Sequence, residues 1–198
     1  RMNNAKTRIE FSMNWQNRPY YNRVLTSGSF GYSWTNNRYS SFVVRPIDIS
    51  IISLSNIDST FLNRTDNEYI KNSYRSQLIA GGSASYLFNN QSSLVNKSTF
   101  RVRVNAETNG NLLDLVAPLV TKKSSEGDFY KFFGIRYAQY VRADIDASYR
   151  FALGDKSSFV YRFYMGSGTA YGNSQNISIP FERLFYAGGP NSLRGWQV

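Results

Sequence analysis

The chain has 198 residues, 16% of them aromatic and only 18% charged, against about a quarter charged in typical globular proteins. It contains no Cys and no His, which excludes disulfides, thiolate sites, His-dependent catalytic triads and the commonest metal ligand within these residues, so we expect no enzyme, cofactor or metal site. The net charge of +10 is scattered one or two residues at a time, and we therefore expect no nucleic-acid partner.

Polar and apolar residues alternate with a period of two in seven runs, which is typical of strands with two different faces. In chain order these runs cover residues 8–16, 23–34, 41–54, 78–88, 100–107, 135–153 and 159–168. Several reach the length of about 10 residues with which a tilted strand crosses a bilayer, whereas soluble strands average about 5 or 6. No window approaches the roughly 18 consecutive apolar residues that a transmembrane helix needs.

Two runs contain a departure from the strict pattern. Leu25 falls on the polar side of the second run, and Pro46 lies inside the third. Because proline cannot donate a hydrogen bond to a sheet, Pro46 predicts a β-bulge or a change of phase at that point.

The connections between the runs are unequal in length. The links at 35–39 and 154–158 are short and polar, whereas those at 56–74, 108–130 and from 173 onward are long. Short turns at one end and long loops at the other are typical of bacterial outer-membrane barrels, although the short link at 17–22 breaks this rule and the one at 89–98 is intermediate. Within the long links, short helices are predicted at 112–120 and 59–67.

Alternation alone does not separate a water-soluble sandwich from a membrane barrel, but the lengths of the strands and loops favour the barrel. The predicted fold is thus all-β, an antiparallel transmembrane β-barrel of which these seven strands are a part. In a barrel the apolar side faces lipid and the charged side lines the lumen. The expected lumen-facing charges are Arg101, Arg103, Arg136, Arg142, Asp144, Asp146, Arg150 and Arg162.

Two carboxylates on the sixth run are candidates for acid–base chemistry. Asp144 and Asp146 are two residues apart, so they share one face of the strand at a separation of about 7 Å. Arginines on the same face favour a ladder of ion pairs over catalysis.

The glycines at positions 166, 168 and 172 superficially resemble a phosphate-binding loop, but their spacing does not fit one. We expect them to let a loop or a neighbouring strand approach closely.

The last residues contain an arginine set among glycines. Gly188, Gly189 and Gly195 permit backbone angles that let a loop turn inward, and Arg194 could then dock its planar guanidinium on carboxylates of an inner barrel wall. The alternative is an exposed arginine in a mobile loop. Neither reading is favoured by these residues alone.

The stretch PFERLFYAGGPNSLRGWQV resembles the sixth extracellular loop of the BamA/TamA superfamily of outer-membrane assembly and secretion factors. Its upstream segments WQNRPYY, GSFGYSW, FGIRYAQYVRADIDASYRF and GTAYGNS are similar to the TamL-like lipoprotein branch. The residues that match the loop signature, and that would form its lock, are Gly188, Gly189, Leu193, Arg194, Gly195 and Trp196.

The resemblance implies a barrel of about sixteen strands, preceded by periplasmic POTRA domains. The seven runs would be strands five to eleven of one barrel domain over residues 1–198, with 181–198 as an inward-folding loop. The POTRA domains and the other strands, including those that carry the acidic partners of Arg194, would lie outside this sequence.

The implied function is insertion or translocation of other proteins at the bacterial outer membrane, by bilayer thinning and lateral barrel opening, without covalent chemistry. The implied partners are outer-membrane lipids, client outer-membrane proteins and periplasmic or lipoprotein accessory subunits. Two alternatives stay open. One is a two-partner secretion transporter or passive pore of the same superfamily, and the other is a barrel fused to a patatin-like hydrolase, which would require a GxSxG motif upstream.

Overall fold

The computed structural model describes residues 3–19, 21–57, 71, 74–91, 98–124, 127–154, 157–175 and 177–185. Its main feature is one antiparallel sheet of seven strands in the order β1-β2-β3-β4-β5-β8-β9. These strands are β1 (Asn3–Arg18), β2 (Tyr21–Asn37), β3 (Ser40–Ser55), β4 (Gln77–Asn89), β5 (Thr99–Asn109), β8 (Tyr140–Ala152) and β9 (Ser158–Ala170). Between β5 and β8 lie the helix α1 (Asn111–Val120) and a small hairpin of β6 (Lys131–Phe132) and β7 (Ile135–Arg136).

The sheet confirms the predicted all-β antiparallel class and the seven strands. Neighbouring strands follow one another along the chain, and their lengths of 11 to 17 residues exceed the roughly 10 that span a bilayer. The predicted helix at 112–120 is α1, whereas the one at 59–67 lies outside the described residues. None of the helices in the described ranges is long and apolar enough to cross a membrane.

The strand directions place the connections at two ends of the sheet. The β3–β4 and β5–β8 connections and the chain after β9 lie at one end, which we call the long-connection end. The β2–β3, β4–β5 and β8–β9 connections lie at the other, the short-turn end. This is the sided distribution that the sequence predicted, with the short β1–β2 turn as the expected exception at the long-connection end.

The prediction of one continuous sixth strand over 135–153 is wrong. Ile135–Arg136 belongs to the small hairpin, and the long strand begins only at Tyr140. The intervening chain is held by other segments, since the Ala138 amide donates to the Leu78 carbonyl and the Gln139 amide to the Ser174 hydroxyl, both at 2.8 Å. Residues 137–140 are all buried, so the alternation of polar and apolar residues in this stretch does not correspond to the two faces of a strand.

A bulge lies at the proline of β3, as predicted. Phe30 faces Ile47 and Tyr32 faces Val44, so β3 uses three residues where β2 uses two. The register with β4 shifts at the same place, next to Pro46. Because proline has no amide hydrogen to pair, it suits the extra position of a bulge. The shift also changes the parity of the apolar side along β3.

One face of the sheet is apolar and open. Phe11 is 75% exposed on β1, and Phe163 is 58% exposed on β9. We call this surface the apolar face; its exposed members include Ile9, Phe11, Met13, Ile47, Ile49, Phe100, Val104, Phe163 and Met165. Water-exposed apolar surface of this extent is unusual in a soluble monomer and typical of a surface that contacts lipid or another protein.

Aromatic rings form a belt across the apolar face at its short-turn end. The Trp34 and Phe42 rings stack with centroids 5.3 Å apart, and Phe42 contacts Tyr86 at 4.8 Å. A second chain of ring contacts joins Tyr39, Phe88, Phe100 and Tyr149. Aromatic girdles of this kind mark the water interface of membrane barrels.

The opposite side of the sheet, the polar face, carries Glu10, Asp48, Glu107, Arg142, Asp144 and Asp146. At its long-connection end, however, it holds an apolar cluster. Ile52, Ile79, Tyr140 and Ile179 are buried there, and Leu25 packs against them. The exception at Leu25 in the sequence pattern is therefore explained by a local core on the otherwise polar face.

Candidate functional site: the polar face and its covering segment

Residues 177–185 follow β9 and lie across the polar face, and we call them the covering segment. Ile179 enters the apolar cluster, and Pro180 precedes a short 3-10 helix, Phe181–Arg183. The segment thus places two adjacent charged side chains, Glu182 and Arg183, over the strands.

Arg183 lies between carboxylates of two strands. Its guanidinium is 3.8 Å from the Asp48 carboxylate on β3 and 3.4 Å from the Glu107 carboxylate on β5. Glu107 also accepts hydrogen bonds from the Tyr140 hydroxyl at 2.5 Å and the Asn109 amide at 2.8 Å. These side chains are largely buried, so their mutual attraction is less screened by water than that of a surface pair.

The preceding residue makes the complementary contact. Glu182 forms an ion pair with Arg23 of β2, and both side chains are less than a fifth exposed. Adjacent residues of opposite sign therefore bind to opposite charges on β2, β3 and β5. The sequence analysis did not select Glu182 and Arg183. No local signal singles them out, because Asp48 and Glu107 each have an arginine nearby on the same face of the strand, Arg45 and Arg103.

The end of the covering segment packs on glycines of β9. The Phe185 ring lies 4.3 Å from the Arg142 guanidinium and 6.3 Å from the Tyr164 ring. A Cβ atom at Gly166 would lie 2.7 Å from the Phe185 ring, and one at Gly168 would lie 2.7 Å from Ile179 Cδ1. The prediction that these glycines permit a close approach is confirmed.

Replacing Gly168 with valine should dislodge the covering segment. The new side chain would collide with Ile179 and with the Arg142 Cβ at 3.0 Å, and overpacking of this kind costs about 1–3 kcal/mol. We expect trypsin to cleave after Arg183 in the folded variant, as detected by mass spectrometry, but not in the parent. Gly28→Val is the matched control, because nothing lies within 4 Å of a Cβ built there. Equal protection of the Gly168 variant and the control would contradict the close packing.

The predicted lumen-facing charges are brought together in part. The guanidinium of Arg162 binds both oxygens of Asp146, at 2.9 and 3.0 Å. Arg142 lies 3.7 Å from Asp144, which also accepts the Asn105 amide at 2.7 Å. Each carboxylate is thus held by nearby donors, an arrangement that suits an ion-pair ladder.

The remaining predicted charges divide between the sheet and the hairpin. By register, Arg103 is opposite Asp146, Arg101 is opposite Ser148 and Arg150 is opposite Thr99, all on the polar face. Arg136 is elsewhere, because it belongs to β7. Its guanidinium donates to the Asn173 carbonyl, with Nε at 2.9 Å, and lies 4.1 Å from the Phe129 ring.

Chemically, this face is suited to binding charged groups. An open cavity of about 270 Å³ is lined by charges of both signs, including Arg45, Asp48, Glu107, Asp144 and Arg183. Among the described residues, no group of three or more acidic side chains is arranged to hold a metal ion. The cavity therefore offers matched charges to water and to the chain that covers it.

The predicted lock of the terminal loop is not part of this description. Its residues, Gly188, Gly189, Leu193, Arg194, Gly195 and Trp196, all lie outside the described residues.

A family model for the Omp85 superfamily domain matches residues 1–198. Searches of curated proteins and of solved structures found no match. The matched range includes the whole sheet, α1, the hairpin and the covering segment.

Proposed function

This chain belongs to the Omp85 superfamily of bacterial outer-membrane proteins, and from that membership we propose that it is an assembly factor that inserts client proteins by thinning the bilayer and opening its barrel laterally. The sheet is part of a transmembrane β-barrel of that membrane. Insertion or translocation is the general activity of the superfamily. In this proposal the barrel itself acts without covalent chemistry. We also propose that the chain belongs to the TamL-like branch of the superfamily.

The observation that carries the proposal is the pairing of an open apolar face with a polar face covered by the chain's own segment. In a barrel, the apolar face contacts lipid and the polar face lines the lumen. Lateral insertion needs no wide aqueous channel, because client strands enter the bilayer with their backbone hydrogen bonds closed against neighbouring strands. Burial of the client's own strands in lipid would supply the free energy.

The covering segment also favours an assembly factor over a passive pore. Ion pairs of Glu182 and Arg183 hold it across three strands, and this narrows the lumen that a pore would need to keep open. A two-partner secretion transporter would instead move the segment out of the lumen to let its substrate pass.

Reconstitution tests these alternatives directly. The full natural chain would be placed in vesicles of phosphatidylethanolamine and phosphatidylglycerol, and a urea-denatured outer-membrane barrel added as client. We expect the client to fold faster than in empty vesicles, measured by its heat-modifiable mobility on gels. Large steady conductance across a planar bilayer, with no acceleration of client folding, would support the passive pore and contradict the proposal.

We further propose that Arg194 is the pin of the inward loop, together with Gly188, Gly189, Leu193, Gly195 and Trp196. Arg194→Ala should lower the temperature at which the barrel loses its folded gel mobility and should reduce client assembly. Membrane insertion itself should be largely unchanged, because the strands are intact. Gln197→Ala is the control outside the motif. An unaltered thermal gel shift together with normal client levels would contradict the pin.

A further inference from the structure

The helix α1 is firmly attached to one side of the sheet. Ala117 is fully buried against Leu78 of β4 and Tyr137, and the Tyr137 hydroxyl donates to the Asp114 carboxylate at 2.8 Å. Burial raises the pKa of the Tyr137 hydroxyl and the Asp114 carboxylate raises it further, so the phenol keeps the proton with which it holds the helix. The helix therefore has a fixed orientation.

The attachment site belongs to the apolar face. Leu78 is directly opposite Ile51 of β3. Ile51 is on the same face of that strand as Ile47 and Ile49. Leu78 is the second residue of β4, at the long-connection end of that strand. The helix thus lies at the long-connection edge of the apolar face, on the side of the sheet to which the exposed apolar side chains point.

The outward side of α1 is apolar and uncovered by the described residues. Leu112, Leu115 and Leu119 are 71%, 74% and 85% exposed, and Val116 beside them is 42% exposed. Their spacing of three and four residues aligns them along one side of the helix. A helix of a soluble protein would turn such a side toward its core.

The geometry points to α1 as an interfacial helix that lies in the outer leaflet, with its leucine side among the lipid acyl chains beside the barrel. The helix packs through Ala117 on Leu78, a residue of the face that meets lipid, and its leucine side lies opposite that contact. Lys122 lies two residues beyond the end of the helix and is exposed, which places a cation where lipid headgroups begin. Amphipathic helices bind membrane interfaces through this combination of apolar side and flanking cations.

This placement extends the function beyond the sheet. A helix held in the outer leaflet fixes the β5–β8 connection against the membrane and disturbs the packing of the lipids next to the strands. The competing occupant is the chain segment 58–70 in the neighbouring long connection, which would cover the leucines and keep them from lipid.

Depth-dependent quenching tests the placement. The full natural chain, with an environment-sensitive fluorophore on Leu115→Cys, would be reconstituted in vesicles of phosphatidylethanolamine and phosphatidylglycerol containing acyl-chain spin labels. Phe163→Cys on the apolar face is the control within lipid. Gly154→Cys in the short β8–β9 turn, with open space around it, is the control in water. A second probe on Val116→Cys covers the case in which the first variant folds poorly, judged by heat-modifiable gel mobility.

We expect labels placed shallow in the acyl chain to quench Leu115 at least about twofold more than Gly154, and deep labels to quench Phe163 most. Leu112→Ser with Leu119→Ser should reduce the quenching at Leu115 while leaving that at Phe163 unchanged. The proposal is overturned if the probes at Leu115 and Val116 are no more quenched than the one at Gly154. It is equally overturned if their emission is that of a dry protein contact but no lipid label quenches them, since another part of the chain would then cover the helix.

Discussion

Arginine in place of Val104 is expected to destabilise the folded barrel by about 2–4 kcal/mol, the cost of a cation on the lipid face near the bilayer midplane. Val104 is the central residue of β5 and is 39% exposed on the apolar face, directly opposite Tyr86 and Ile145. The guanidinium would have neither water nor a carboxylate within reach. Urea titration of the protein refolded in lipid vesicles, followed by tryptophan fluorescence and gel mobility, measures the change.

The next residue along the strand is the matched control. Asn105 points to the polar face and donates to Asp144 at 2.7 Å, so an arginine there has a carboxylate beside it. We expect Asn105→Arg to change the free energy of unfolding by no more than about 1 kcal/mol. Equal loss at the two positions would contradict the assignment of lipid and lumen to the two faces, and greater loss at Asn105 would show that it is reversed.

Loss of the Arg183 charge is the second large effect that we expect. Removing one partner of a fully buried ion pair costs about 3–5 kcal/mol, whereas a surface pair contributes about 0–1 kcal/mol. The Arg183 side chain is 25% exposed and holds two carboxylates, so Arg183→Met should cost about 1–3 kcal/mol of barrel stability. The same urea titration measures it, with Arg38→Met as the matched control, because Arg38 is exposed in the turn between β2 and β3.

A rescue experiment separates the ion pairs from simple loss of packing. Once Arg183 is neutral, Glu107 keeps a largely buried charge that accepts hydrogen bonds from Tyr140 and Asn109, and Arg142 opposite it on β8 is the nearest remaining cation by register. Adding Glu107→Gln should then restore part of the lost stability, whereas Glu107→Gln alone should be destabilising. Strictly additive losses in the double variant would show that the two side chains do not interact.

The period-two pattern predicted most of the sheet because burial in lipid and exposure to a lumen select side chains residue by residue. The bulge at Pro46 could also be predicted, because the missing amide hydrogen of proline is a property of that residue alone. The same reasoning failed at residues 135–139, where polar and apolar residues still alternate although the long strand begins only at Tyr140. There Tyr137 packs under α1, and Gln139 is tied to the chain near Asn173.

The candidate site was harder to predict than the strands. The charges of the polar face follow from parity, but the contacts of the covering segment join residues far apart in the chain. Nothing local to Glu182 or Arg183 specifies Arg23 or Asp48 as partners. Such pairs are decided by how the strands are ordered and by where the chain turns after β9, and a single sequence carries no direct record of either.

The ion pair between Arg23 and Glu182 closes a loop across 159 positions of the chain. Closing so long a loop costs chain entropy, and the contacts that compensate this cost are present only after the intervening strands have paired. Contacts of this kind therefore form late in folding. The covering segment can therefore bind only after β2, β3, β5 and β8 have paired. Its binding would distinguish barrels in which these strands are fully paired from incompletely folded ones.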